Sequence, residues 1–236
     1  MSDERSRLPP LALLRLQSWL SPAFPTGAYS YSHGLEWAVE AGHVADRKSL
    51  VDWLEADLCY GSGRNDGIFF SEAWRRTQTN DLANLIEVAE LAGAFRGTSE
   101  FALESSQQGA ACLATLRQAW PDHVLDWLSE TLRERQVQPA LAVVLGVASA
   151  RQGIPVGLGL PAFLQSYVAN LVTAGVRLIP LGQTDGQLAI AELEAAVQAA
   201  SRQGEGCTID DLGSAAFMVD LASMAHETQY TRLFRS

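Results

Sequence analysis

The sequence predicts an all-α fold, formed by a single compact domain of roughly nine to eleven helices. Alanine and leucine, two of the strongest helix formers, occur 34 and 32 times, whereas valine and isoleucine together occur 21 times. No segment alternates apolar and polar residues over the length of a strand. Neither a linker, a block of like charges nor a repeat divides the chain, so we treat residues 1–236 as one domain.

Capping residues and apolar spacing place the helix starts. The expected N-caps are Asp46, Asn80 and Thr208, and the prolines expected at first helical positions are Pro121 and Pro161. Residues 140–150 are apolar on most sides, which predicts a central helix. The segments rich in glycine or proline are expected to be turns, namely 61–67, 153–161, 180–186 and 204–206.

Composition excludes several classes of partner and location. The chain carries 27 Asp and Glu against 17 Lys and Arg, a formal net charge of −10, so we expect no nucleic-acid partner. Its three cysteines lie far apart and form no disulfide framework, which indicates a reducing, cytoplasmic location. The longest uncharged run, residues 152–176, contains glycine, proline and polar residues, and we expect it to be protein core rather than a membrane span.

Pattern alone gives no catalytic residue and no metal site. The four histidines do not fall at the spacings of known metal motifs. The nearest approach is a helix predicted from Ala28, on which Tyr29, His33, Glu36 and Glu40 would share one face. That face could hold a transition metal or form a polar contact surface. It leaves open an alternative function, an all-α enzyme or small-ligand-binding protein that uses Tyr29, His33 and Glu36.

Three segments contain more aromatic, glycine, proline or arginine residues than ordinary loops need: 20–36, 181–187 and 226–236. The last of these is notable because chain ends are usually small, polar and poorly ordered. Tyrosine, phenylalanine and arginine are enriched at interfaces, so the ending predicts docking onto another chain. Packing of a helix end on its own domain is the alternative. We expect the termini, residues ~1–10 and ~227–236, to be flexible until a partner binds.

Together these segments resemble the urease accessory protein UreF family. The resemblance rests on four blocks in the family order: a Ser-Pro-x-x-Pro-x-Gly opening from Ser21 to Glu36, a block from Arg177 to Gln187, the pair Asp210 and Asp211, and a His-Glu-x-Gln-Tyr-x-Arg-Leu-Phe-Arg-Ser ending. The blocks span nearly the whole chain. The sequence departs from the pattern at Ala28, where many members have a second glycine, and fits it less clearly over residues 137–157.

The resemblance implies that the protein is not an enzyme but a scaffold that helps to load nickel into apo-urease. It implies binding to the accessory protein UreD (also called UreH), a homodimer in the complex, and recruitment and modulation of UreG, the GTPase that carries nickel. No cofactor would be tightly bound, because the complex as a whole would handle the nickel.

The resemblance also assigns residues to these roles. The tail residues that would dock on UreD/UreH are Tyr230, Arg232, Leu233, Phe234 and Arg235. The residues at or near the surface that recruits UreG would be Pro25, Gly27, Tyr29, Ser30, His33 and Glu36. The residues of the polar glycine-glutamine turn, carried over as a structural motif, are Gly182, Gln183, Gly186 and Gln187.

Overall fold

The computed structural model describes residues 10–236, and within that range the chain forms eleven α-helices, two short 3₁₀ turns and no strand. The helices are α1 Pro10–Trp19, α2 Leu35–Glu40, α3 Arg47–Tyr60, α4 Ser62–Gln78, α5 Leu82–Ala94, α6 Ser99–Ala119, α7 His123–Glu134, α8 Leu141–Arg151, α9 Val156–Leu178, α10 Gln183–Gly206 and α11 Phe217–His226. The 3₁₀ turns are Ala28–Ser30 and Ile209–Asp211. The predicted all-α fold is confirmed.

The core is built around the pair α4 and α8. Helix α8 is buried from Ala142 to Ala150, as its uniformly apolar sequence predicts. It lies close to α4 because Gly146 has no side chain; a Cβ there would come within 2.5 Å of the Phe70 carbonyl oxygen. Helices α3, α9 and α10 cover one side of α4, and α5, α6 and α7 cover other faces of the pair. Helices α2 and α11 pack together beside α6 and α9.

Helix α9 has the length and composition of a membrane span, and it is the one helix of the described range that does. Length and composition are weak evidence for a span, because a buried helix of a soluble core passes the same test. Here α9 contacts α4, α8 and α10, and buries Leu160, Phe163 and Leu164 among other residues. Through these contacts α9 packs against the helices of the core, and the cytoplasmic location stays a prediction.

Two glycine-rich segments predicted as turns are instead parts of helices in contact. Only Gly61 separates α3 from α4, so the rest of 61–67 is helical, and α10 continues to Gly206. A Cβ on Gly204 would lie 3.0 Å from the backbone carbon of Gly67, which shows how closely α10 crosses α4. Glycine here allows two helices to approach, and sequence alone does not distinguish that use from a turn.

Three expected helix starts are also displaced. The N-cap of α5 is Asp81, whose side chain accepts a hydrogen bond from the Asn84 amide, while Asn80 adopts a left-handed turn conformation. Helix α7 begins after Asp122 rather than at Pro121, and α9 begins at Val156 with Pro161 inside it. Of the predicted caps, Asp46 is confirmed by its reciprocal hydrogen bonds with Ser49.

The contact between α6 and the segment before α8 provides a test of this packing. A Cβ on Gly109 would overlap the Pro139 carbonyl oxygen and lie 2.8 Å from the Leu141 nitrogen, and both are backbone atoms that cannot rotate away. We expect Gly109→Ala to lower the free energy of unfolding in urea by about 1–3 kcal/mol, the usual cost of overpacking.

Gly206→Ala is the matched control, because a Cβ at that helical residue meets no atom within 4 Å. It should leave stability unchanged or raise it slightly. Equal effects of the two substitutions would contradict the packing described for α6.

Candidate functional site

The predicted helix from Ala28 does not form, so the proposed face of Tyr29, His33 and Glu36 does not exist. After the short 3₁₀ turn the chain reverses through two residues with positive φ, His33 at 57° and Gly34 at 75°, and α2 begins at Leu35. Gly34 passes so close to α11 that a Cβ there would lie 2.8 Å from the Ser223 nitrogen. Tyr29 is 70% exposed, whereas His33 and Glu36 are buried.

Glu36 instead binds the C-terminal tail, which we define as residues 227–236. Its Oε1 accepts a hydrogen bond from the Leu233 amide at 2.6 Å, and its Oε2 accepts one from the Phe234 amide at 2.8 Å. The Nε2 of His226 lies 3.2 Å from the same Oε2. One buried carboxylate on α2 therefore faces three nitrogen atoms, two from the tail backbone and one from the end of α11.

His226 and Glu100 extend this contact to α6. The side chain of His226 is fully buried, with Nδ1 at 2.8 Å from Glu100 Oε2 on one side and Nε2 facing Glu36 on the other. The other oxygen of Glu100 accepts a hydrogen bond at 3.0 Å from Arg232 of the tail. Helices α2, α6 and α11 and the tail are thus joined through charged side chains.

A second buried group surrounds His33. Its Nδ1 lies 3.1 Å from Glu104 Oε2, and its ring stacks on Phe101 with centroids 3.8 Å apart. Its Nε2 is 4.0 Å from Asp57, which accepts a hydrogen bond from the Tyr167 hydroxyl at 2.6 Å. Burial lowers the pKa of His33, but the charge and hydrogen bond of Glu104, with the charge of Asp57, outweigh burial and raise the pKa above its usual value.

The end of the tail pairs with the turn that precedes α2. The Ser32 amide donates to the Ser236 carbonyl at 2.7 Å, and the Arg235 amide donates to the Ser30 carbonyl at 2.8 Å. The Ser236 hydroxyl donates to Glu104 at 3.0 Å, and Phe234 is buried beneath the guanidinium of Arg177, 4.3 Å from the ring centroid. The tail therefore packs on its own domain. Its flexibility in the absence of a partner stays a prediction.

This packing divides the predicted partner-binding residues into three sets by their exposure. Those whose side chains are exposed are Pro25, Tyr29, Tyr230, Arg232, Leu233 and Arg235. Gly27 and Ser30 are half-buried beside them. Phe234, His33 and Glu36 are buried, so in this conformation they position the surface and do not touch a partner.

The polar glycine-glutamine turn lies at the start of α10, away from the tail. Gln183, Gln187 and Gly182 are exposed, and the amide of Gly182 donates to Asp185 at 3.2 Å to cap the helix. Gly186 is buried, and a Cβ there would come within 2.9 Å of Val176 on α9. The segment thus starts α10 and lets it approach α9.

Among residues 10–236, no group of three or more His, Cys, Asp or Glu side chains has a geometry that could hold a metal ion. A cavity of about 240 Å³ is bordered by Arg96, Asp220, Asn65 and Ser62 among others, and none of the predicted site residues lines it. In it, Arg96 is paired with Asp66 at 2.8 Å.

Sequence reasoning missed Glu100, Glu104, Asp57 and Arg177. The first two stand four residues apart on one face of α6 and are buried, but nothing in their local sequence distinguishes them from an exposed acidic pair. Their partners lie more than 70 residues away along the chain, at His33, Arg232 and His226. Spacing along the sequence carries no signal of such contacts.

Comparison with known proteins shows which sequences this chain resembles. The family model of UreF matches residues 44–194. Over 225 residues, or 95% of the chain, the sequence is 50% identical to the urease accessory protein UreF of Rhodopseudomonas palustris and covers 91% of that protein. It is 49% identical to the UreF of Bradyrhizobium diazoefficiens, covering 92% of it, and 50% identical to that of Granulibacter bethesdensis, covering 94%.

Replacing Glu36 by glutamine tests the contact with the tail. Glutamine has the same shape as glutamate, but an NH₂ group replaces one of the two acceptor oxygens. That NH₂ group would face the nitrogen atoms that the oxygen binds in the wild-type protein, so their hydrogen bonds would be lost. We expect Glu36→Gln to lower the free energy of unfolding in urea by about 2–3 kcal/mol. Glu87→Gln, at an exposed position on α5, should change it by less than about 0.5 kcal/mol. A Glu36 variant as stable as the Glu87 variant would contradict the buried contact.

The raised pKa of His33 predicts a pH dependence of stability. Because the folded-state pKa lies above that of the unfolded chain, about 6.5, the stabilisation is complete below pH ~6.5 and is lost as the pH rises through the folded-state pKa. His33→Asn removes the group, and asparagine tolerates the positive φ.

We therefore expect the wild-type protein to lose more stability than His33→Asn between pH 6 and pH 9, measured by urea unfolding at each pH. Parallel profiles, or a greater loss in the variant, would show that His33 is not held in its charged form.

Proposed function

Because the chain belongs to the UreF family of urease accessory proteins, we propose that it is a scaffold for urease maturation. In this proposal the protein binds UreD (UreH) and recruits the GTPase UreG, which delivers nickel to apo-urease. Nickel is cargo of the complex and is not ligated tightly by this chain. The protein acts through contacts and has no catalytic residue of its own.

The conformation of the tail is the observation that carries the proposal. Its backbone is hydrogen-bonded to Glu36, yet Tyr230 is fully exposed and Leu233 is 59% exposed. Large apolar side chains held outward on a fixed backbone lose little conformational entropy when they bind. Aromatic residues of this kind are typical of interface hot spots. We assign them to the contact with UreD/UreH.

The segment proposed to recruit UreG adjoins the tail. Tyr29, with Pro25 and Ser30 near it, lies on the turn whose backbone pairs with Arg235 and Ser236. A partner bound at the tail would therefore stand next to the recruiting surface. In the proposal, UreG bound beside the partner on the tail is held in one orientation, and this orientation modulates its GTPase activity.

A homodimer within the complex is part of the same proposal. An exposed apolar stripe on α11, formed by Phe217, Met218, Leu221 and Met224, provides surface for protein contacts beyond the tail.

The alternative function, a small-ligand site on Tyr29, His33 and Glu36, loses its basis because these side chains do not share a face.

Two exposed tail side chains test the contact with UreD/UreH. Deleting residues 230–236 would also remove the partners of Glu36, so point substitutions are cleaner. We expect Tyr230→Ala combined with Leu233→Ala to weaken binding of UreD/UreH at least about 30-fold, the loss typical of hot-spot residues, in a titration of the purified proteins.

Tyr60→Ala is the matched control, because Tyr60 is a 61% exposed tyrosine at the end of α3 and does not belong to the tail. It should bind like the wild-type protein, and all variants should keep their helical circular dichroism. If the double variant bound UreD/UreH as tightly as the Tyr60 control, the tail would not be the docking element.

A further inference from the structure

Two arginines, Arg177 beside the tail and Arg235 within it, have exposed side chains and no ionic partner among the described residues. Neither Arg177 nor Arg235 has a carboxylate oxygen within 4.0 Å among the described residues. By contrast, Arg47, Arg75, Arg76, Arg96, Arg117, Arg135, Arg151 and Arg232 each pair with a carboxylate. Arg15, Arg64, Arg133 and Arg202 also lack a carboxylate oxygen within 4.0 Å among the described residues, but Arg177 and Arg235 differ from them in that both contact the turn before α2.

Both arginines are fixed around the turn of Ala28–Ser30. Arg177, on α9, donates to the Tyr29 carbonyl at 2.9 Å and lies over the Phe234 ring. Arg235 is held by its backbone amide on Ser30, and its guanidinium lies 5.8 Å from the Tyr31 ring centroid. Its side chain makes no hydrogen bond within the described residues, which leaves its donors available.

Exposed apolar side chains stand among these charges. Tyr29 is 70% exposed on the turn, and Leu233 is 59% exposed next to Phe234 in the tail. An apolar centre beside arginines is the usual composition of a protein interface, in which arginine and tyrosine are enriched. Arginine binds carboxylates with two parallel hydrogen bonds, which favours an acidic protein surface as the occupant.

We infer that Arg177, Leu233 and Arg235 form one docking surface for an acidic patch on a partner protein, beside Tyr29 of the segment assigned to UreG. The inference rests on the proposed function, since UreD/UreH is the partner assigned to the tail, and it adds the charge of the surface that this partner presents. It also adds Arg177, which no part of the sequence resemblance assigns to binding. A nucleic acid would meet the same two arginines, but the strongly negative charge of the rest of the chain opposes so long a polyanion.

The experiment is a titration of purified UreD/UreH with the full-length protein at 100 mM and 400 mM NaCl. We expect the Arg177→Gln and Arg235→Gln double variant to bind at least about tenfold more weakly at the lower salt concentration and to lose most of the salt dependence of the wild-type protein. The matched control is Arg133→Gln with Arg202→Gln, which removes the same charge from exposed positions on α7 and α10. It should bind within about twofold of the wild type.

Arg177 also packs on Phe234, so its substitution could loosen the tail. The single variant Arg235→Gln removes no side-chain hydrogen bond and should by itself weaken binding at low salt by about threefold or more. If UreD/UreH binds the wild type but neither salt nor these substitutions changes the affinity beyond that of the control pair, the inference is overturned and the proposed scaffold role stands. If the wild type does not bind UreD/UreH at all, both are contradicted.

Discussion

The carboxylate of Glu36 is the contact on which the candidate site depends. Two consecutive tail amides and the Nε2 of His226 all approach its two oxygens. A buried carboxylate with several N–H donors is stable only while all of them are in place, since an unpaired buried charge is costly. We therefore expect the tail, the end of α11 and the start of α2 to become ordered together.

The same contact sets the register of the tail. Residues 233 and 234 form a bend in which both amides face the carboxylate of Glu36. With the amides of Leu233 and Phe234 held by Glu36, Phe234 and Ser236 are buried while Leu233 and Arg235 are exposed. A slip of one residue would bury Arg235 and expose Phe234. The buried charges here thus fix the register of the tail, which is the best supported use of such groups. The register in turn decides which side chains face outward, where a partner would meet them.

The sequence predicts the helices better than the site, for a physical reason. The all-α class, the cap at Asp46 and the buried helix α8 follow from local propensity and periodicity, which a single chain displays directly. The proline, glycine and aromatic content of segment 20–36 indicates more than an ordinary loop, but the helix predicted there does not form, because the chain turns through positive φ at His33 and Gly34 and passes close to α11. Glu36 meets its partners 190 or more positions away, and no local pattern records a contact at that distance.

Hydrogen exchange of individual tail amides in the free wild-type protein, followed by NMR, tests this account most directly. If Glu36 holds the tail, the amides of Leu233 and Phe234 should exchange orders of magnitude more slowly than that of Tyr230, whose side chain is fully exposed and whose amide donates no hydrogen bond among the described residues. Equal, fast exchange at all three amides would show that the tail is free before a partner binds, and would contradict the central role given to Glu36.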